Sequence, residues 1–448
     1  MTAAQGGIDQ TMNEIQQIKK EALELRKQAR YSEALKLYND LWSKYLDSCN
    51  EWEGWGYATC LRKLGNSEEA LEICRAIYQK KPDFEAGNNL YAWCIYDIEI
   101  KKEKEQIQED ENSFIKAANA ILNLTKQNKY SPYTKTVFKV IDYLINTKSI
   151  YPANEVLGWI DKLAPNDLSS EAFSIDDSEG KHREIQSEKE KWFAVKTKAL
   201  EKSEQYQECI ELCEKALNNL SKFHHSNDIW FKRRKALSKA GIGYKDQAII
   251  ELEDILQNRK EWFIQYEIAQ LYFDMREIEK ALKFSIDAAL NFGKDENKWE
   301  LFSLMAKILN NIGRIEDAKK HLLYSIKLRI DREWNIPESL NKMLLEFNIN
   351  ISEQINIKEL NKDLKALWNK EKNSCSPPIQ GTVKTMLQNG KAGFISGADG
   401  KDYYFKISSF KGDNNKLFRG LKVTFLTEES FDKKKNIKTK AAVHIQEK

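Results

Sequence analysis

Three groups of side chains have residue types and spacings that could do chemistry. Cys209 and Cys213 lie one helical turn apart, with His224 and His225 a little further on, and these are the donor types that hold zinc. A structural zinc site wants four ligands, commonly close cysteines and a spaced pair of histidines. Here the cysteines fall on the apolar positions of a helical pattern, and two adjacent histidines rarely ligate one metal. Asp176, Asp177 and Glu179 offer carboxylates to a divalent cation, within an acidic stretch whose charges are ordinarily just solvated. Lys433, Lys434 and Lys435 suit either phosphate contacts or a soluble loop. No phosphate-binding glycine loop, nucleophile elbow or metal-protease helix occurs. The expectation is a non-enzymatic chain with no cofactor and no metal.

The elements that carry these residues follow from the bulk pattern. The 448 residues are 31% charged and 11% aromatic, which fits a folded protein with much exposed helical surface. No apolar run approaches the ~18 residues of a membrane span, and the first residues lack the basic and apolar regions of a signal peptide. A cytoplasmic location without membrane contact is expected. Seven scattered cysteines (Cys49, Cys60, Cys74, Cys94, Cys209, Cys213 and Cys375), with no CxxC pair, argue against a disulfide framework. The net charge of +3 hides an asymmetry. Residues Ile379–Lys448 hold 14 Lys and Arg against 7 Asp and Glu, a net of +7, whereas the rest of the chain nets −4. Basic charge gathered in one module points to nucleic acid there.

Most of the chain is an array of repeats. "GNSEEALEICRAIYQKKP" and "YPANEVLGWIDKLAP" both place a small residue (Ala70, Ala153) twelve positions before a helix-ending proline (Pro82, Pro165). The same frame places Ala34, Cys209, Ala248, Ala281 and Ala318, with spacings of 36 from Ala34 to Ala70, 33 from Ala248 to Ala281 and 37 from Ala281 to Ala318. A tryptophan precedes the small residue by 17 to 19 positions at Trp52, Trp192, Trp230, Trp262 and Trp299, and this regularity predicts a role in the core of each helix pair. Gly65, Gly243 and Gly313 fall at the turn between helices. This pattern resembles the tetratricopeptide repeat (TPR), a helix–turn–helix unit of ~34 residues. The resemblance implies an α-solenoid that holds a partner protein or peptide on its concave face.

The expected organisation is a disordered tail over residues 1–11, then a TPR-like solenoid of about eight degenerate helix pairs over 12–335 with a loop insertion at 166–190. Residues 336–378 hold a capping helix, from Ser352 to Lys372, and a linker; the last module follows over 379–448. The charged stretch Lys101–Asn112 either extends a helix or forms a solvated linker. Within the array, Arg314 and His321 lie seven apart on one helix. Arg followed by His at such spacing resembles the signature of HEPN-type ribonucleases, which implies metal-independent RNA cleavage by the pair. The same segment also fits the repeat frame through Gly313 and Ala318.

From Gln380 the period changes to two. "GTVKTML", "AGFIS", "YYFKI", "LKVTFLTEE" and "KAAVHIQ" read as five short strands, enough for a small closed barrel of the OB type. The fold class is thus mainly α, a helical solenoid with a C-terminal five-stranded β-barrel. The order "GTVK…GFI…DGKDYYFKISSF…GLKVTF…KAAVHI" resembles the cold-shock domain across the whole module. That family binds single-stranded RNA or DNA by stacking bases on surface aromatics. Carried over by position, the resemblance implies stacking by Phe394 and Tyr404, flanked by Lys384, Lys391 and Lys406. The family's other aromatic positions hold Thr385, Met386, Ala392, Lys406 and Ile407, so the row is shortened and weak binding is expected. The functional expectation is an adaptor joining a partner protein to a single strand. Its alternative is a pure scaffold of a multi-protein stress or defence assembly, with the barrel as docking domain.

Overall fold

A computed structural model describes residues 3–176, 180, 182–349, 356–374, 378–387, 390–413, 417–432 and 437–448. Helices follow one another as hairpins: α1 (Ala3–Lys27) with α2 (Tyr31–Lys44), α3 (Glu51–Lys63) with α4 (Ser67–Lys80), and α5 (Glu85–Ile95) with α7 (Glu111–Leu124) across the short α6 (Lys104–Glu109). Then come α8 (Tyr133–Thr147) with α9 (Ala153–Ile160), α10 (Glu188–Lys202) with α11 (Tyr206–Asn219), and α12 (Asn227–Gly241) with α13 (Lys245–Asn258). The last pairs are α14 (Trp262–Asp274) with α15 (Ile278–Leu290) and α16 (Trp299–Asn311) with α17 (Ile315–Ile330), followed by α18 (Glu338–Glu346) and α19 (Ile357–Ser374). This is a TPR-like array. The chain divides into two compact units, Met1–Phe231 and Lys232–Lys448.

Two features recur in six of these eight hairpins. Ala34, Ala70, Cys209, Ala248, Ala281 and Ala318 are all fully buried, because the close crossing of paired helices leaves room only for a small side chain. Five residues earlier, Ala29, Gly65, Glu204, Gly243, Arg276 and Gly313 all have positive φ, between 59° and 99°. The next residue in each case donates its backbone N–H to the carbonyl five positions back, at 2.9 to 3.0 Å. This is the Schellman cap, which satisfies orphan carbonyls at the helix end and needs a left-handed residue. Sequence marked only the three glycines; an alanine, a glutamate and an arginine hold the same conformation unmarked.

Several expectations need correcting. Ala153 is only half-buried, because Pro152 and an extended connection replace the tight turn and α9 buries Val156, Leu157 and Ile160 instead. Of the repeat tryptophans only Trp192 is fully in the core; Trp230, Trp262 and Trp299 are half-buried and Trp52 is 55% exposed at the start of α3, edge-on to Phe84. The N-terminal segment is not a disordered tail where described, since α1 begins at Ala3. Within 101–112 the chain folds α6, after a π-helical turn at Tyr96–Ile100. The insertion at 166–190 is not a plain loop: β1 (Phe173–Asp176) pairs antiparallel with β2 (His182–Ile185). The end of the array is covered by α18, whose Leu340 and Met343 pack on Ala306, Leu309, Ala318 and Leu322. The later helix α19 also packs on the last hairpin, burying Leu364 and Trp368 with Leu301 and Phe302 of α16, Tyr324 and Leu328 of α17 and Ile286 of α15.

The C-terminal module is a closed barrel of β3 (Ile379–Met386), β4 (Ala392–Gly397), β5 (Asp402–Lys406), β6 (Lys422–Asp432) and β7 (Ile437–Glu447), in the order β3-β4-β5-β7-β6. The β5–β7 pair is parallel and the others are antiparallel. Alternation sends Val383, Ile395, Tyr403, Phe405, Val423, Phe425, Ala442 and Ile445 into one buried core. All five strands expected from the period-two pattern are present.

Candidate nucleic-acid interface

The barrel's outer face is set by the same alternation. Because Ile395, Tyr403 and Phe405 point inward, Phe394 on β4 and Tyr404 on β5 point outward, each half-buried. They are direct cross-strand partners, and their rings meet edge to face with centroids 5.8 Å apart at 69°. Gly393 lets the strands close behind them: a Cβ there would sit 2.5 Å from the Thr385 carbonyl oxygen and 2.7 Å from the Phe405 ring. The β4–β5 turn is fixed by the Tyr403 hydroxyl, which donates to Asp399 Oδ2 at 2.5 Å.

The flanking lysines are less alike than their sequence positions suggest. Lys391 and Lys406 are exposed at the start of β4 and the end of β5. Lys384 sits at a bulge between Val383 and Thr385, and its ammonium forms an ion pair with Asp402. The hydrogen bond from Lys384, outweighing the effect of burial, holds the Asp402 carboxyl below the usual carboxylate range. Lys384 is therefore already neutralised on the outer face, which lowers what it offers a phosphate. Asp402 was missed as a site residue, although it lies two positions before Tyr404 and so faces the same side. At the remaining positions of the shortened row, Thr385 is exposed, Met386 and Ile407 are half-buried, and Ala392 is buried.

The other candidates find different partners. Cys209 and Cys213 are fully buried, with Cys209 Sγ 3.3 Å from the Thr197 carbonyl and 4.0 Å from Cys213 Sγ. His224 Nδ1 lies 2.7 Å from Oε2 of the buried Glu190. Among the described residues, no group of three or more His, Cys, Asp or Glu is placed to hold a metal ion. Asp177 and Glu179, Lys433–Lys435 and Cys375 lie outside the described residues, as does the side chain of Asp176.

Arg314 and His321 are not poised for cleavage; together they hold α19. Arg314 bridges Asp317 on its own helix and Glu371 on α19, the latter at 2.8 Å. His321 is fully buried, and its Nε2 accepts from Trp368 Nε1 on α19 at 2.8 Å while Nδ1 lies 2.7 Å from the Asp317 carbonyl. Trp368 also stacks on Phe302, with centroids 5.5 Å apart and planes 1° from parallel. Both imidazole nitrogens are thus occupied away from solvent, which leaves none to transfer a proton to a substrate. The 47 residues between His321 and Trp368 explain why local spacing could not reveal this.

No family model matches the chain, and no curated protein matches it. Among solved structures the chain is similar to a thermophilic TPR protein of Thermus thermophilus, at 13% identity over 66% of this chain and 98% of that one, with a TM-score of 0.20. It is also similar to PilF of Pseudomonas aeruginosa (12% identity, 66% and 97% coverage, TM-score 0.29). A third is the C-terminal part of a TPR repeat-containing protein from Cytophaga hutchinsonii (14%, 60% and 93%, TM-score 0.29).

Proposed function

We propose that this protein is an adaptor, acting in the cytoplasm, that engages a partner protein or peptide through its helical array and a single strand of RNA or DNA through its barrel. The observation that carries the second half is the outward pair of Phe394 and Tyr404, in direct register on neighbouring strands, with exposed Lys391 and Lys406 together at one end. Such a pair offers ring surface to unstacked bases, and lysines beside it offer charge to the backbone between them. The helical hairpins support the first half, because stacked repeats expose an extended surface suited to a polypeptide. Free cysteines, most of them buried, fit a reducing compartment. Among the described residues no helix is long and apolar enough to cross a membrane.

A second reading, a pure scaffold with the barrel as docking domain, is favoured by the non-aromatic Thr385, Ala392 and Ile407 and by the neutralised Lys384. Anisotropy of a labelled oligonucleotide with the full chain separates the two. Under the adaptor reading, Phe394→Ala and Tyr404→Ala each cost ~1–3 kcal/mol with little change in salt dependence. Lys406→Ala lowers the slope of log K against log salt by about 0.7, whereas Lys384→Ala lowers it by less. Absence of binding at low salt, or binding that both aromatic changes leave intact, removes the nucleic-acid half and leaves the scaffold.

A further inference from the structure

We infer that the single-strand site does not end at the barrel but continues along a lysine-lined seam onto the helical array, where Phe292 supplies a further stacking platform. This rests on the nucleic-acid reading of Phe394 and Tyr404. The strand register supplies the path. Phe394 pairs with Tyr404, Tyr404 with Ala441, and Ala441 with Glu428, so these residues form one row across β4, β5, β7 and β6. With strands ~4.8 Å apart, Glu428 lies roughly 10 Å around the barrel from Tyr404. There the array begins: Lys260, in the connection between α13 and α14, places its ammonium 2.8 Å from Glu428 Oε1.

Lysines gather at this seam. Burial pushes the Glu428 carboxyl up, but the hydrogen bond and charge of Lys260, with Lys372 and His444 nearby, hold it below its ordinary value. Lys411 and Lys372 in turn bear on His444, which burial already pushes down. Lys260 and Lys372 are ion-paired there, with Glu428 at 2.8 Å and Asp287 at 2.9 Å, as Lys384 is with Asp402. Lys411, whose backbone N–H donates to the Ile445 carbonyl at 2.8 Å beside His444, is exposed at the same seam, so a strand leaving Tyr404 in this direction meets one exposed lysine and two that a phosphate would share with a carboxylate.

The next feature along the array is Phe292. Asn291 Nδ2 donates to the Lys260 carbonyl at 2.9 Å and to Gln265 Oε1 at 2.8 Å. Asn291 Oδ1 accepts from the Phe292 backbone N–H at 2.7 Å, and the buried Lys298 ammonium donates to the Asn291 carbonyl at 2.6 Å. Gly293 follows at φ 145°, where a Cβ would lie 2.8 Å from the Trp262 indole. These bonds stiffen the turn, and yet the ring it presents is 95% exposed. Nothing in the packing of the described residues uses that ring. Phe292 is followed in the chain by Gly293 and Lys294, both exposed, on a turn that packs against Trp262. A base needs only one ring face and a cation for the neighbouring phosphate.

The test uses the full chain with labelled oligouridylate and oligothymidylate of about 4 and about 20 nucleotides, the second longer than the ~4–16 that one OB fold occupies. The short probe reports the barrel alone and the long one the barrel plus the extension. Phe292→Ala is expected to weaken the long probe by roughly 5- to 150-fold and leave the short one unchanged, while Tyr404→Ala weakens both. Because the side chain is exposed, the melting curve of Phe292→Ala should overlay the parent's. If both probes bind through Tyr404 and Phe292→Ala changes neither, or both equally, the extension is wrong and the barrel reading stands. If neither probe binds, or Tyr404→Ala is silent, the barrel reading fails and the extension with it.

Discussion

Acidification should loosen α19 through one residue. Trp368 Nε1 can only donate, so His321 Nε2 must accept, and the proton of neutral His321 sits on Nδ1, where it donates to the Asp317 carbonyl. Adding a second proton puts an N–H against an N–H in a fully buried site, with Arg314 and Lys320 adding repulsion and no carboxylate in hydrogen-bond contact with the ring. Burial accordingly pushes the His321 pKa from 6.5 down to about 4. The folded state thus resists protonation while the unfolded chain accepts it. The unfolded state binds more protons between these two values, so stability rises with pH there; it is fully present above about 6.5 and is lost progressively down to about 4. At about 1.4 kcal/mol per pH unit the whole interval is worth roughly 3 kcal/mol, of which roughly 2 is gone by about pH 4.5. Other groups titrate over the same range, so the measurement is a difference. Urea unfolding of the parent and of His321→Gln at about pH 7 and about pH 4.5 isolates the effect, because glutamine keeps a polar partner for Trp368 but does not titrate. The parent should lose roughly 2 kcal/mol more than the variant over that interval. Parallel losses in the two proteins would refute the assignment of a neutral, latched imidazole.

Two further predictions test the repeat geometry. Glu204→Gly and Arg276→Gly relieve side chains held at φ near 60° and should each raise stability by about 1 kcal/mol, while Gly65→Ala and Gly313→Ala, at positions with no neighbouring atom to strike, should cost about as much through backbone conformation alone. Unfolding midpoints that leave all four variants at the parent's value would contradict the shared cap. Ala70→Leu and Ala318→Leu overpack fully buried helix crossings and should cost ~1–3 kcal/mol, whereas Ala153→Leu at a half-buried position should be tolerated. A similar melting temperature for all three would show that the small-residue frame does not mark close contacts.

What the sequence made legible follows the range of the interactions involved. A helix crossing forces a small residue at a fixed distance from its turn, so Ala70 and Ala318 announced the hairpins from a dozen residues of context. The barrel was legible because an outward Tyr404 between inward Tyr403 and Phe405 is a period-two statement written in three consecutive letters. The turn residues were half legible: glycine advertises a left-handed position, but the penalty for Ala29, Glu204 or Arg276 is small enough for the surrounding cap to absorb. Long-range partners left no local trace. Arg314 and His321 have the residue types of a catalytic pair, and only Trp368 and Glu371, brought back on α19, turn them into a latch. The same holds more strongly for Lys260 and Glu428, which are 168 positions apart. Neither residue stands out from its many charged neighbours, yet their ion pair brings the array beside the outer row of the barrel. Local period can therefore identify the aromatic face of such a module, but not which distant loop is brought beside it, and that is a property of the folded chain.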